Sequence, residues 1–146
     1  MVRARERNLP MPAATMPLSP WVDMEITGES LFSNRDKDVL VQKDVVEVMA
    51  ATFLGENGNR RDPLANPLYA DLKDLPPMYI QVGGDETLLD DSSRLADRAR
   101  KAGVDVRLDV FPELQHVFQF AAGHAPEADD AIRRLAEWVR PKLGLA

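Results

Sequence analysis

Apolar and polar positions along the chain change period several times, and each change marks an element. Ala13 to Leu18 is a short, largely apolar run bounded by prolines, the pattern of a buried strand ending at Ser19-Pro20, although Pro17 argues against regular pairing. Trp21 to Asp38 carries Gly28, Ser30, Ser33 and Asn34 with no clean period, which predicts a loop or short helical turns. From Val41 to Leu54 the period is helical: Val41, Val45, Val46, Val48, Met49, Thr52 and Phe53 make a broad apolar face, and Gly55 is the stop. Glu56 to Leu75 is polar and broken by Pro63 and Pro67, hence irregular. Pro77 to Val82 is then a compact apolar strand, and Gly83-Gly84 permits a sharp exit turn.

The pattern that follows is clearer still. Leu88, Ser92, Leu95, Ala99 and Ala102 share one helical stripe, with Asp90 and Asp91 in the first turn, Arg98, Arg100 and Lys101 in the last, and Gly103 just beyond. Those charges and that glycine agree with the helix dipole and a glycine cap. Val104, Val106, Leu108 and Val110 alternate with Asp105, Arg107 and Asp109, as in a strand with one polar face at or near a sheet edge. Pro126 fits a first helical position, and Ala128, Ala131, Ile132, Leu135 and Val139 form the apolar face of a final helix ended by Pro141. The order strand, helix, strand, helix, strand, helix predicts an α/β fold with about three parallel strands joined by crossover helices.

Composition narrows the class. A chain of 146 residues, 45% hydrophobic and 29% charged, has the size and make-up of one globular domain. No apolar run approaches the roughly twenty residues of a membrane span. Without cysteine, disulfides and thiolate zinc sites are excluded, which fits a reducing, cytoplasmic location. The N-terminus, Met1 to Pro10, is charged, lacks the apolar stretch of a secretory signal and reads as the last turns of a helix. A net charge of -6, with Lys and Arg scattered along helices, argues against a nucleic-acid partner.

Candidate chemistry gathers beyond the carboxyl ends of the strands, where parallel sheets place their sites. Asp85 and Glu86 follow one strand and His116 follows the next, an acid and a histidine suited to a general base held by an orienting carboxylate. The plainer reading is that Asp85 and Glu86 join Asp90 and Asp91 in favouring a helix N-terminus, with His116 on a surface loop. Four carboxylates from Asp85 to Asp91 also raise the possibility of magnesium, but no phosphate-cradling glycine loop accompanies them and no metal is expected. His116 and His124 match no common zinc spacing, and His124 is expected to face solvent. Met16, Met24, Met49 and Met78 read as packing. The chain contains no Gly-x-Ser-x-Gly elbow and no His-Gly-Gly stretch. Ser19, Ser30, Ser33, Ser92 and Ser93 lack a strained turn flanked by glycines and read as ordinary loop or helix serines.

Several stretches together carry a resemblance: Leu18-Ser-Pro-Trp-Val-Asp23, Asp62-Pro-Leu-Ala-Asn-Pro-Leu68, Pro77-Met-Tyr-Ile-Gln-Val-Gly-Gly-Asp-Glu86, Leu88-Leu-Asp-Asp91 and Gln115-His-Val-Phe118. Jointly they resemble the C-terminal part of the hormone-sensitive-lipase-like family of α/β-hydrolases, and the likeness covers nearly the whole chain. The resemblance implies a carboxylic ester hydrolase with a serine in Gly-Asp-Ser-Ala-Gly, an acid after the seventh strand and a histidine after the eighth. It gives His116 the histidine role. For the acid, the family pattern Asp-x-Leu-x-Asp and the thirty-residue spacing to the histidine both select Glu86 over its neighbour Asp85.

The same resemblance places the nucleophile elbow upstream of Met1, so this chain is expected to be inactive alone. It treats about 1–146 as one partial domain, with about 21–59 as lid and loop and about 77–146 as the strands and helices carrying acid and histidine. Val45, Met49 and Phe53 on a lid helix would then contact the acyl chain of a small ester. No cofactor is implied. The alternative is a non-catalytic α/β module that acts by association, with itself or with a partner chain, through an exposed strand edge.

Overall fold

In the computed structural model, which describes residues 1–146, two six-residue strands run parallel in register: β1 (Met78–Gly83) and β2 (Val106–Phe111), with Ile80 opposite Leu108 and Gly83 opposite Phe111. Every residue of β1 is buried, whereas in β2 the expected alternation holds only through Leu108: Asp109 is partly buried and Val110, expected inward, is 43% exposed. The first expected strand departs from expectation. Residues 13–20 lie parallel along the free side of β1 but register only as two isolated bridges, Thr15 to Met78 and Leu18 to Gln81. Four ladder bonds form, from Thr15 N to Pro77 O, Tyr79 N to Thr15 O, Gln81 N to Pro17 O and Ser19 N to Gln81 O. The donation due from residue 17 is missing, because proline has no N–H.

Five α-helices surround this sheet. They are α1 (Val2–Glu6), α2 (Ser30–Ser33), α3 (Lys43–Leu54), α4 (Leu89–Lys101) and α5 (Pro126–Val139). α4 packs on one face of the sheet: Leu95, Ala96 and Ala99 meet Met78, Ile80, Val22, Leu68, Leu72 and Val104 in one apolar cluster. Burying a side chain the size of Ile80 contributes roughly 1.5–3 kcal/mol. α5 covers the other face, where Gln81 Nε2 donates to the Ala131 carbonyl at 2.9 Å and Tyr79 meets Trp138 edge to face at 5.4 Å between centroids. Of the residues expected inward on α5, Ala128, Ala131 and Leu135 are buried, but Ile132 is 41% exposed.

α3 joins a second, smaller cluster through Val46 and Ala50, which pack with Met24, Ile26, Leu31 and Leu88. Its apolar face is therefore split. Val45, Val48, Met49 and Phe53 lie on the outside of the helix. No helix of the molecule is long and apolar enough to cross a membrane.

Candidate active site

β1 ends at Gly83, and the loop after β2 passes directly over Gly83 and Gly84, so closely at Gly83 that no side chain fits there. A Cβ on Gly83 would sit 2.1 Å from the Leu114 carbonyl oxygen, inside any van der Waals limit. That close crossing brings the residues after β1 against those after β2. Glu86 is fully buried there, and its Oε2 lies 3.1 Å from His116 Nδ1. Its other oxygen, Oε1, accepts from Ser19 Oγ at 2.6 Å and from the Gly83 amide. The His116 side chain remains 23% exposed, and only Nδ1 of its two ring nitrogens has a hydrogen-bond partner in the chain.

Asp85 takes a different course. Its backbone N–H donates to the Leu114 carbonyl, and its carboxylate turns outward to Lys37 Nζ at 3.1 Å. The structure thus brings His116 and Glu86 together and leaves Asp85 on the rim, in an exposed ion pair of the kind worth about 0.2–1 kcal/mol.

The loops that carry the pair are gripped from the segment preceding α3. Asn34 Nδ2 donates to the carbonyls of Gly84 and Glu86, at 3.0 and 2.8 Å. Asp38, 3% exposed, accepts from the Thr87 amide at 2.8 Å on one oxygen and from the Leu40 and Val41 amides on the other. Gln115 extends the same grip to the histidine loop, accepting from the Val39 amide and donating to the Lys37 carbonyl, both at 3.0 Å. One stretch, 34–41, therefore holds the acid loop and the histidine loop at once. On the α2 side, Ser30 Oγ donates to the Thr87 carbonyl at 2.6 Å and accepts from the Asp90 amide.

The remaining carboxylates have structural partners. Asp91 Oδ2 accepts from the amides of Val22 and Asp23 at 2.8 and 2.9 Å, and burial pushes its pKa up to about 6 against those two bonds. For Asp23 burial also acts upward, but hydrogen bonds from Thr27, Arg94 and the Glu25 amide outweigh it and bring the group down to about 2. No group of three or more acidic or histidine side chains converges in a way that would hold a metal ion. His124 is exposed in the turn before α5.

Met49 and Phe53 line an open apolar depression of about 550 Å³ with Trp21, Met24, Val48 and Thr52; Val45 is not among its lining residues. Reading the sequence missed Ser19, Asn34, Asp38 and Gln115 as parts of the site. Ser19 and Gln115 had a signal, since both stand in stretches that carry the resemblance, whereas Asn34 and Asp38 had none.

Comparison with known proteins fits this geometry. The pattern of the α/β-hydrolase fold family matches residues 1–120. The chain belongs to that family. An acetyl-hydrolase of Streptomyces hygroscopicus is 35% identical over 140 residues, which are 96% of this chain and 46% of that protein. An esterase of Acinetobacter venetianus is 33% identical over 137 residues, covering 94% of this chain and 45% of its own length. The crystal structure of an esterase from the bacterial hormone-sensitive lipase family superposes with a TM-score of 0.93 at 49% identity, over 97% of this chain and 47% of that one. Within the α/β-hydrolases the chain thus falls in the hormone-sensitive-lipase-like group, and it spans about half the length of the relatives it matches.

Proposed function

We propose that this chain is the acid–base half of a serine carboxylesterase, with Glu86 as the orienting acid and His116 as the general base. The observation that carries the reading is the buried Glu86 carboxylate 3.1 Å from Nδ1 of a partly buried imidazole. With Nδ1–H directed at Glu86, the lone pair of Nε2 is free to take the proton of a serine hydroxyl supplied by the other half of the fold. The serine oxygen then attacks the ester carbonyl. The resulting imidazolium, stabilised by Glu86, returns its proton to the departing alcohol, and water repeats the sequence on the acyl-serine. Asp85 stays outside this exchange, paired with Lys37. Met49 and Phe53, which line the apolar depression, would meet the acyl chain.

The test joins the chain to the serine-bearing half of a hormone-sensitive-lipase-like esterase in one polypeptide and follows hydrolysis of p-nitrophenyl butyrate. The joined protein is expected to turn over, its His116→Ala variant to fall to background, and the 146-residue chain alone to be no faster than its own His116→Ala variant. Equal rates with and without the histidine in the joined protein would overturn the assignment.

A further inference from the structure

The sequence offers Ser19 as an unremarkable serine, yet its hydroxyl is the one group in the fold that touches both sides of the candidate pair. It is 3% exposed, donates its proton to Glu86 Oε1 at 2.6 Å and accepts the amide proton of Val117, the residue after His116, at 3.0 Å. One proton and one lone pair thus make two bonds, one to the acid and one to the histidine loop. The Gly83 amide takes a second position on Oε1, so the carboxylate is fixed in rotation and Oε2 is presented to His116.

The backbone on both sides of this hydroxyl is strained. Ser19 has φ 45° and Val117 φ 47°, left-handed values that cost a non-glycine residue about 1–3 kcal/mol and are least suited to a β-branched side chain. Such conformations persist only where surrounding bonds over-determine them. Here the Ser19 amide closes the ladder on Gln81, and the Val117 amide closes on Ser19.

We infer that Ser19 is a positioning residue for the acid–base pair, its hydroxyl bridging Glu86 to the backbone of the His116 loop and so setting the orientation of both. This rests on the assignment of Glu86 and His116 above. A serine with a merely structural role would leave the pair intact when removed; a positioning serine would not. Ser19→Gly is the replacement that tests this, because glycine accepts φ 45° without strain and only the hydroxyl is lost. Ser19→Ala is the companion that keeps the Cβ.

The experiment is proton and nitrogen NMR on the 146-residue chain, reading two signals: the low-field, slowly exchanging imidazole Nδ1–H of His116 and the exchange rate of the Val117 amide. Asp85→Asn and Glu86→Gln are the controls. In Ser19→Gly and Ser19→Ala the imidazole signal is expected to broaden into exchange with water and the Val117 amide to exchange roughly tenfold faster, the value of about one hydrogen bond. Asp85→Asn should leave both signals in place. Retention of the imidazole signal in Ser19→Gly, with Glu86→Gln abolishing it, overturns the role of Ser19 alone. Retention in Glu86→Gln, or its absence from the unsubstituted chain, overturns the Glu86–His116 pairing and the inference with it.

Discussion

Glu86 and Thr87 are fully buried polar residues with partners on every side, whereas α3 is a twelve-residue helix that buries only Val46 and Ala50 and turns Val48 and Phe53, 67% and 68% exposed, to solvent. The same short stretch, 34–41, connects the two regions, ending where α3 begins. The contrast separates two jobs that share one segment. Buried polar groups are tolerated only when satisfied, and once satisfied they define one geometry. The acid and histidine loops therefore carry their own scaffold within this chain. An exposed apolar helix face defines no geometry by itself; it gains one only from what covers it.

Four outcomes break or sharpen that contrast, beginning with the largest. In the joined esterase, Glu86→Gln should cost on the order of 10⁴-fold in kcat, the loss seen when a triad acid no longer fixes its histidine. Asp85→Asn removes only the rim pair with Lys37 and should leave kcat within about fivefold, since such pairs are worth about 0.2–1 kcal/mol. Steady-state rates for proteins of matched melting temperature decide between the two carboxylates. Next comes the sheet itself: Ile80→Ala, at a site with no solvent exposure, should lower unfolding free energy by about 2–5 kcal/mol in urea titration.

The third outcome is a pH effect at the carboxylate that anchors residues 22 and 23. Because the Asp91 pKa is raised from 3.8 to about 6 by burial, the native state binds more protons there than the unfolded chain. Asp91 thus contributes stability below about pH 4 that is lost as pH climbs to about 6, a change of about 3 kcal/mol. Asp23 runs the other way: its pKa is lowered to about 2, so its contribution is present above about pH 4 and is lost as pH falls toward 2. Urea titrations from pH 4 to pH 7 should show the decline in the unsubstituted chain and a flatter profile in Asp91→Asn. The smallest effect belongs to α3, where Phe53→Ser should change stability by no more than about 0.5 kcal/mol while reducing self-association measured by light scattering.

The parts of the molecule that read well from sequence are those where burial is periodic. β1 is a compact, mostly apolar run broken only by Gln81, and α4 repeats its apolar stripe between matched charges, so both emerge within a residue or two of their bounds. α3 was visible as apolar, but periodicity could not say that Val46 and Ala50 face inward while Val45 and Phe53 do not, because nearly the whole circumference is hydrophobic. The strand at 13–20 was overcounted: its apolar character survived, but Pro17 removed one donor and left bridges in place of a continuous ladder. Residues 21–38 looked featureless for a physical reason. Asp23, Ser30, Asn34 and Asp38 are buried polar residues, each with a partner 49 to 71 positions away, and such pairings leave no local period. The choice between Asp85 and Glu86 had the same character, since adjacent carboxylates differ only in which way the Gly83-Gly84 turn aims them.

Native-state hydrogen exchange on the 146-residue chain reads the contrast between the two regions in one experiment. The amides of Thr87, bonded to Asp38, and Asp85, bonded to Leu114, should exchange as slowly as those of β1, while the amides of α3 exchange through local opening at distinctly lower cost. Thr87 and Asp85 exchanging as fast as α3 would contradict the account, because the acid loop would then depend on the rest of the fold for the geometry ascribed to this chain.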